Sequence, residues 1–260
     1  MRTKLSIVLA AGTAILLTGC AKKEEPARTE EAAPAAAPTA AAPVVDPATA
    51  ATITGKVLFT GTKPVMRPIS MDAVPACSRQ HPTPPRSEEV VVNDNGTLRN
   101  VFVWVKAGLP DTQWPTPSEP VTLDQHTCIY KPRVIGVMTN QPIRILNSDP
   151  TNHNIHPLPK INREWNESQP PGGEPKIKSF ARQEIMIPVK CNVHPWMRAY
   201  IGVVSHPFFS VTGADGTFTI KGLPPGEYTI EAWHERYGTQ ELKVAVGPKE
   251  TKTADFTYKG

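Results

Sequence analysis

Short stretches whose side chains alternate between apolar and polar recur along the chain from residue 52 to its end. Such alternation is typical of a β-strand with one buried face, whereas an amphipathic helix repeats its apolar positions about every 3.6 residues. No segment sustains the helical repeat, and the 29 prolines disfavour long helices. The sequence therefore predicts an all-β fold, with strands at residues 53–59, 90–92, 98–105, 218–220, 228–233, 242–246 and 254–258.

Turn residues indicate how some of these strands connect. Residues 93–96 read Asn-Asp-Asn-Gly, and an Asn-Gly pair between two apolar runs predicts a β-hairpin. In the second strand of this hairpin, the valines at 101, 103 and 105 are expected to face one way, and Phe102 and Trp104 the other. The run Gly-Leu-Pro-Pro-Gly at 222–226 predicts a turn between two further strands.

The first 51 residues lack this pattern. Arg2 and Lys4 precede an apolar run at 7–17 that is too short to span a bilayer, as is typical of an export signal. Residues 17–20, Leu-Thr-Gly-Cys, form a lipobox, so we expect a lipoprotein signal peptide at residues 1–19 and a lipid on Cys20. Residues 20–51 are rich in Ala and Pro and poor in large apolar side chains, which predicts a disordered tether.

The expected anchor also indicates the compartment and excludes some partners. Several acyl chains on one cysteine anchor a protein stably, here to the periplasmic face of a bacterial membrane. Residue 21 is Ala and not an acidic residue, which favours the outer membrane. The formal net charge is only +4, and no basic stripe is interleaved with aromatic residues, so nucleic acid is not an expected partner. The chain has no Ser-His-Asp ordering and no Gly-rich phosphate loop, so we do not expect an enzyme.

The candidate chemistry lies in Cys191, His194 and Met197, together with His153 upstream. One thiolate, two imidazoles and one thioether are the ligands of a mononuclear blue-copper site, in which Cys and two His form a plane and Met binds weakly on the axis. The soft sulfur ligands favour Cu(I), and imidazole suits both oxidation states. The pattern therefore indicates a copper ion that carries single electrons.

These residues carry a resemblance to the cupredoxins. It rests on Tyr-Lys-Pro at 130–132, the apolar residues 134–137, Asn-x-Asp-x3-His-Asn at 147–154 and Cys-x2-His-x2-Met at 191–197. The short ligand loop is most similar to that of amicyanin. The resemblance spans about residues 119–205, and it implies a Greek-key β-sandwich with one type 1 copper bound by His153, Cys191, His194 and Met197.

The resemblance further implies a role for each ligand. Cys191 would supply the short covalent bond, and His153 would be the buried imidazole. His194 would have its ring edge near the surface, as the port through which electrons pass. Met197 would be the weak axial ligand that tunes the reduction potential.

Residues beside the ligands have implied roles as well. Asn154 would pin the two ligand loops together, and Pro195 and Trp196 would form part of an apolar patch around the port. His156 is a competitor for the position of His153. Because the family pattern takes the first His of His-Asn-x-His, we expect His156 near the ligands or at the surface.

A second resemblance lies in the last part of the chain. Gly-Ala-Asp-Gly-Thr-Phe at 213–218 and Gly-Leu-Pro-Pro-Gly-Glu-Tyr at 222–228 resemble half of a carboxypeptidase-regulatory-like (transthyretin-like) β-sandwich, and Gly-Lys-Val at 55–57 fits the start of its other half. We favour a cupredoxin, residues 119–205, inserted between the two parts of this sandwich, residues 52–118 and 206–260. The alternative is two consecutive domains, with residues 52–118 as extra strands of the cupredoxin. The whole chain resembles bacterial lipoproteins that pair the two modules.

The four cysteines can then be assigned. Cys20 is expected to take the lipid and Cys191 the copper, which leaves Cys77 and Cys128. In an oxidising compartment these two are expected to form a disulfide. Only one cysteine lies in the ligand loop, which excludes a binuclear copper centre.

Three other segments invite an interpretation. Residues 157–179 are long for a loop, and they either cover the metal edge or contact a partner, or form a surface excursion without a role. His234 lies between Glu231 and Glu235, where a surface His-Glu pair at a strand end is expected rather than a second metal site. Residues 206–209, His-Pro-Phe-Phe, are interpreted as the domain junction, with the aromatic rings packed.

The function predicted from the sequence is that of a lipid-anchored blue-copper protein that shuttles single electrons. The family implies c-type cytochromes or a membrane oxidoreductase complex as its redox partners. One alternative is a copper carrier, although the six methionines are dispersed and form no Met-rich tract. The other is a surface-binding scaffold whose cupredoxin fold is structural.

Overall fold

The computed structural model of the protein describes residues 45–260. The predicted signal peptide at 1–19, the lipid site at Cys20 and the tether as far as residue 44 lie outside the described residues. No helix in residues 45–260 is long and apolar enough to cross a membrane.

Residues 45–260 contain 17 strands and one helix of a single turn, so the predicted all-β fold is confirmed. The helix is α1 (Pro75–Ser78). The strands are β1 (Ala51–Thr60), β2 (Phe102–Ala107), β3 (Val121–His126), β4 (Ile129–Lys131), β5 (Val134–Met138), β6 (Ile143–Asn147), β7 (His153–Pro157), β8 (Glu167–Gln169), β9 (Lys176–Lys178), β10 (Glu184–Lys190), β11 (Arg198–Val204), β12 (Phe209–Val211), β13 (Thr217–Leu223), β14 (Gly226–His234), β15 (Gly238–Val246), β16 (Thr251–Thr253) and β17 (Phe256–Lys259).

Strands from the two ends of the described chain form one sandwich, here called the terminal sandwich. In its first sheet β1 pairs antiparallel with β13 and parallel with β16 and β17. The second sheet has the strand order β12-β2-β14-β15. The alternating apolar residues of these strands fill one core between the sheets, which includes Ile53, Val57, Val103, Phe218, Ile230 and Phe256.

The middle of the chain forms the other sandwich, here called the central sandwich. Its sheets have the strand orders β5-β11-β10-β7-β8 and β4-β3-β6-β9. Strands distant in sequence are neighbours: β5 pairs parallel with β11, and β3 pairs parallel with β6. A second core fills this sandwich and includes Leu123, Tyr130, Ile145, Ile155, Val189 and Ile201.

Strand β2 is packed on both faces over residues 102–105, and only Lys106 and Ala107 at its end are exposed. Its valines, including Val103, point into the terminal core, as predicted. Phe102 and Trp104, which are 0% and 5% exposed, point the other way into a third cluster with Val134 of β5 and Val204 of β11. The alternation predicted from the sequence is therefore confirmed, and both faces of the strand make apolar contacts.

Two glycines let the two sandwiches approach closely at this third cluster, here called the junction. Gly136 of β5 and Gly202 of β11 are direct partners in the parallel ladder. A Cβ atom at Gly202 would lie 2.6 Å from the ring of Phe102, and one at Gly136 would lie 2.5 Å from the ring of Phe209. The rings thus occupy the space that side chains at these positions would need.

Residues 69–81, here called the cover segment, leave the terminal sandwich and pack on the central one. Met71 and Cys77, 3% and 0% exposed, are part of the central core. A disulfide joins Cys77 to Cys128, as predicted, and His81 Nε2 donates to the carbonyl oxygen of Thr127 at 2.8 Å. The assignment of all of residues 52–118 to the terminal sandwich is therefore too broad.

Several local expectations differ from the structure. The hairpin predicted at residues 90–105 is reduced to one bridge between Val92 and Leu98, and the following strand begins only at Phe102. Asn100 lies between them with φ at 64°, a left-handed conformation that interrupts an extended strand. Residues 157–179 are not one loop, because they contain β8 and β9. Ala51, placed in the tether, is the buried first residue of β1.

Candidate metal centre

Two segments of the central sandwich carry the four predicted ligands. His153 is the first residue of β7, and the other three lie in the connection between β10 and β11, which we call the ligand loop (residues 191–197). All four side chains are buried: His153 is 0% exposed, Cys191 2%, His194 1% and Met197 1%. The structure thus brings His153, Cys191 and His194 together although 38 positions separate His153 from Cys191, and Met197 is part of the same hydrophobic core as Cys191.

The ligand loop is closed by its own backbone. The N–H of Cys191 donates to the carbonyl oxygen of Met197 at 3.2 Å, and the N–H of Met197 donates to that of His194 at 3.0 Å. The N–H of His194 lies 3.3 Å from Cys191 Sγ, to which it donates. These bonds close the loop, and hydrogen bonds to sulfur are one means of tuning a metal thiolate.

Three donor atoms face one point inside the sandwich. His153 Nδ1 and His194 Nδ1 lie 2.9 Å apart, and Cys191 Sγ lies 3.9 Å from His194 Nδ1. One ligand atom from each of these three residues falls within 4.8 Å of the others. Two buried imidazoles and a thiol at such distances match the donor set of a metal site of mixed nitrogen and sulfur character.

Asp149 orients His153 from behind, a role that the sequence reading did not assign. His153 Nε2 donates to Asp149 Oδ2 at 2.7 Å, so the Nδ1 lone pair is left to face the other two donors. The same carboxylate accepts from the backbone N–H groups of Thr127 and Cys128 at 2.6 and 2.7 Å. An acidic residue four positions before a candidate ligand was the available signal.

The pKa shifts of this cluster follow from these contacts. Burial alone would raise the pKa of Asp149 and lower that of His153, but their mutual hydrogen bond reverses both shifts, aided by Thr127 and Cys128 at the carboxylate. Burial would likewise raise the pKa of the Cys191 thiol, yet the adjacent His153 ring and hydrogen bonds from backbone N–H groups lower it. A metal cation binds the thiolate, and a lowered pKa makes the thiolate easier to form.

His194 differs from His153 because no acid supports it. Burial and the neighbouring charge of His153 lower its pKa, which favours the neutral ring. If Nδ1 keeps its lone pair for a metal, the proton sits on Nε2, and that atom lies 3.8 Å from Cys77 Sγ.

Asn154 and Tyr130 tie the two ligand-bearing segments together. Asn154 Oδ1 accepts from the N–H of Asn192 in the ligand loop at 3.0 Å, and Asn154 Nδ2 donates to the carbonyl oxygen of Glu167 at 3.2 Å. The hydroxyl of Tyr130, which is fully buried, donates to the carbonyl oxygens of Asn154 at 2.5 Å and Lys190 at 3.1 Å. Tyr130 thereby links β7 to β10, the strand that leads into the ligand loop.

His156 is directed away from the three donors. Its Nε2 donates to Glu164 Oε1 at 2.6 Å, and its Nδ1 lies 3.2 Å from Asn192 Oδ1. The alternation of β7 explains this placement. His153, Ile155 and Pro157 lie on one face of the strand, and His156, three positions from His153, lies on the other. The structure therefore brings His153, and not His156, to Cys191 and His194.

The expectation that His194 would have its ring edge near the surface is wrong. The side chain is 1% exposed because the cover segment lies over it, with Cys77 Sγ against Nε2. Cys77 and Cys128 are themselves 0% exposed. The sequence could not show this, since the covering residues precede the ligand loop by more than a hundred positions.

Pro195 and Trp196 lie beside the covered ring. Pro195 is exposed, and Trp196 is half-buried with its ring centroid 5.1 Å from that of His194. The indole Nε1 donates to the carbonyl oxygen of Cys128 at 3.0 Å, which fixes the ring against the disulfide. Trp196 is thus the aromatic group of the ligand loop that reaches from the cluster towards solvent.

Other titratable residues noted in the sequence do not join the cluster. His234 is 1% exposed, so its expected surface position is wrong; it packs against Tyr237 and Tyr258 instead. Glu235 pairs with Arg133, whose Nε and Nη2 donate at 2.5 and 2.8 Å.

Glu231 and the aromatic residues at 206–209 lie in and around the junction. Glu231 accepts from Trp104 Nε1 at 3.0 Å and from Lys106 Nζ at 2.7 Å. Phe208 packs in the terminal core and Phe209 in the junction, which places rings where the junction was expected.

Comparisons with known proteins point to both modules. Residues 199–259, from β11 to β17, match the Carboxypeptidase regulatory-like domain. No curated protein matches the chain.

Solved structures are similar over part of the chain. An oxidised mutant of amicyanin is 13% identical, with 39% of this chain and 97% of that chain covered and a TM-score of 0.30. A purple cupredoxin from Nitrosopumilus maritimus is 16% identical, with 32% and 98% covered and a TM-score of 0.28. A copper-containing nitrite reductase from Thermus scotoductus is 18% identical, with 36% of this chain covered and a TM-score of 0.29; the chain spans 24% of its length. The chain is thus similar in parts to cupredoxins and, at its end, to carboxypeptidase regulatory-like domains.

Proposed function

We propose that the protein binds one copper ion in the central sandwich and exchanges single electrons through it. The observation that carries this proposal is the convergence of His153 Nδ1, His194 Nδ1 and Cys191 Sγ within 4.8 Å of one another, all buried. Met197 is buried in the same core, at the end of the ligand loop. The donor set fits copper, because thiolate and thioether select it over the metals that oxygen ligands prefer.

Each residue contributes a distinct task in this proposal. Cys191 holds the metal through its thiolate, His153 and His194 hold it through Nδ1, and Met197 offers a thioether that tunes the potential. Copper bound there supplies one-electron chemistry. The closed ligand loop and the hydrogen bond from His153 to Asp149 keep the donors in place in either oxidation state, which keeps reorganisation small.

The burial of the donors favours electron exchange over metal delivery. A copper carrier must hand its ion to another protein, which requires ligands that a partner can reach. Here no ligand is more than 2% exposed, and a disulfide lies over one imidazole. We therefore place the carrier second, and we propose no enzymatic turnover.

The proposed compartment and partners are those that the sequence predicts. We propose that Cys20 carries a lipid, that the protein faces the periplasm from a membrane, with the outer membrane favoured, and that its partners are redox proteins such as c-type cytochromes or a membrane oxidoreductase complex. Weak, brief docking suits such partners, since electron-transfer interfaces are small.

Visible and EPR spectra test the proposal. The chain without its predicted signal, with Cys20→Ser, is reconstituted with Cu(II). An intense thiolate-to-copper band that bleaches on reduction and returns on oxidation supports the electron carrier. Cys191→Ser should abolish the band, whereas His156→Gln should keep it. A colourless protein, or a band that survives in Cys191→Ser, would overturn the ligand set.

A further inference from the structure

The closed His194 edge raises the question of where a partner would exchange an electron. The disulfide that lies against His194 Nε2 is made of two cysteines that are each 0% exposed. Neither the imidazole nor the disulfide can therefore be touched from outside the folded protein. Any group that connects the cluster to solvent must lie elsewhere on the ligand loop.

Trp196 is such a group. Its ring lies 5.1 Å from the His194 ring between centroids, and its indole N–H is fixed to the carbonyl oxygen of Cys128. The half-buried ring also lines a surface cavity of about 540 Å³. Cavities of roughly 300–1,000 Å³ are large enough to admit a ligand or several side chains of a partner.

Most of the charged residues that line this cavity are arginines. Arg67, Arg86 and Arg198 line it and are exposed. None of the three guanidinium groups forms an ion pair among residues 45–260.

The acidic groups of the cavity are largely occupied. Glu235 is held by Arg133 in a bidentate pair, and Glu89 lies 3.8 Å from Arg236. Glu88 is the third carboxylate of the lining. Four arginines against three glutamates leave an excess positive charge beside Trp196, and exposed arginines are suited to carboxylates.

We propose that this cavity is the docking surface for the acidic face of a redox partner protein, an inference that rests on the proposed function. Carboxylates of the partner pair with Arg67, Arg86 and Arg198, and its redox group comes to rest against Trp196. One electron leaves the reduced centre of the partner and one arrives at the copper, so that one centre is oxidised and the other reduced. Trp196, held between His194 and the cavity, is the contact between the two proteins.

The first test needs no copper. Tryptophan fluorescence of the metal-free protein is quenched with iodide and, separately, with caesium, and the Trp196 part is obtained by difference from Trp196→Phe. The proposal predicts that iodide quenches Trp196 several-fold more efficiently than caesium, and that Arg67→Glu with Arg198→Glu reverses the order. Arg182→Glu, a substitution of the same type at one exposed arginine of the central sandwich outside the cavity, should leave the preference unchanged.

The second test uses the copper-loaded protein. Its reduced form is oxidised by ferricyanide, an anion, and by tris(1,10-phenanthroline)cobalt(III), a cation, in stopped flow. Arg67→Glu with Arg198→Glu should slow the reaction with ferricyanide by about tenfold at low salt and speed that with the cobalt complex. Arg182→Glu should change neither rate by more than a small factor.

The outcomes separate this inference from the proposed function. Equal quenching by both ions, or equal slowing in Arg182→Glu, overturns the docking surface while the copper site stands. Anion-selective quenching in a protein that takes up no copper overturns the redox role and leaves an anion-binding cavity only. Anion-selective quenching with charge-dependent electron transfer in the loaded protein supports the inference.

Discussion

The two sandwiches bury histidines equally well but use them differently. His153 and His194 in the central sandwich are 0% and 1% exposed, and His206 and His234 in and beside the terminal sandwich are 6% and 1% exposed. Burial lowers the pKa of both His206 and His234 to about 4, and no carboxylate lies against either ring. His153 shows the opposite shift, because Asp149 and Cys191 face it.

This difference shows where chemistry can reside in such a fold. His206 donates to the carbonyl oxygen of Val105 and stacks beside Trp104, so its polar atoms are satisfied and it serves as a core side chain. In the central cluster, by contrast, His153 Nδ1, His194 Nδ1 and Cys191 Sγ face one another, so that their lone pairs are available to a metal ion. A buried histidine is therefore no sign of function by itself, whereas buried donors that converge are.

Removing the disulfide should produce the largest difference in stability between the two sandwiches. The bond closes a loop with a sequence separation of 51 residues, and its loss should destabilise the protein by about 4 kcal/mol in the chain-entropy description. We expect this from Cys77→Ala with Cys128→Ala in urea unfolding. Hydrogen exchange should then rise over the cover segment and ligand loop before it rises in β1 and β13. Equal loss of protection in both sandwiches would contradict the special role of the cover.

Acid should lower the stability of the protein through the buried histidines of the terminal sandwich. An unfolded histidine takes up a proton near pH 6.5 and the folded His234 only near about 4, so its share of stability is complete above pH 6.5 and is lost as the pH falls towards 4. The full loss corresponds to about 3 kcal/mol. His234→Phe should reduce the slope of the urea-derived free energy of unfolding between pH 6.5 and 4, with the contribution of His206 remaining. His126→Gln, at an exposed position, is the control, and an unchanged slope in His234→Phe would refute the assignment.

A larger side chain at the junction should affect both sandwiches together. Gly202→Val would place atoms against the buried ring of Phe102, and overpacking of this kind costs about 1–3 kcal/mol. A single shifted transition in calorimetry is expected, since β2 packs both in the terminal core and in the junction, where it contacts strands of the central sandwich. Gly213→Ala, whose Cβ would meet only Asp215 Oδ1 at 3.9 Å, should be nearly neutral. Two separated transitions in Gly202→Val would show that the sandwiches unfold independently.

The mildest change concerns the acid that distinguishes His153 from the other histidines. Asp149→Asn keeps a group of the same shape but removes the charge that supports the ring. Loss of such a hydrogen-bonded carboxylate typically weakens metal binding by about 10–100-fold. Copper affinity, measured by competition with a chelator, should fall in that range. Glu231→Gln, a similar change in the terminal sandwich, should leave the affinity unaltered.

Periodicity and spacing predicted much of this molecule. The alternation at residues 98–105 identified both faces of β2, and the four candidate ligands could be chosen because their residue types and spacing together match one kind of site. The pairing of β1 with β13, β16 and β17 supports insertion of the central segment between two parts of one sandwich, which stays a proposal.

What the sequence missed depends on contacts between distant residues. The Cys77–Cys128 bond was predicted, but nothing local shows that the cover segment lies over His194 or that Met71 is buried in a core built by later strands. The same is true of Tyr130, which links β7 and β10 through carbonyl oxygens that no motif reveals. The Asn-Gly hairpin is present but shorter than predicted, since the left-handed residue Asn100 separates it from β2.

The doubly buried strand β2 has a consequence for how this protein can be divided or recombined. A gene fragment that encodes only the central sandwich would leave Val134 and Val204 bare where Phe102 and Trp104 had covered them, and would invite aggregation. The reciprocal fragment would present two large rings to water. Any transplant of the candidate copper module onto a new host must therefore bring β2 along, or supply another pair of rings shaped to the glycines of β5 and β11.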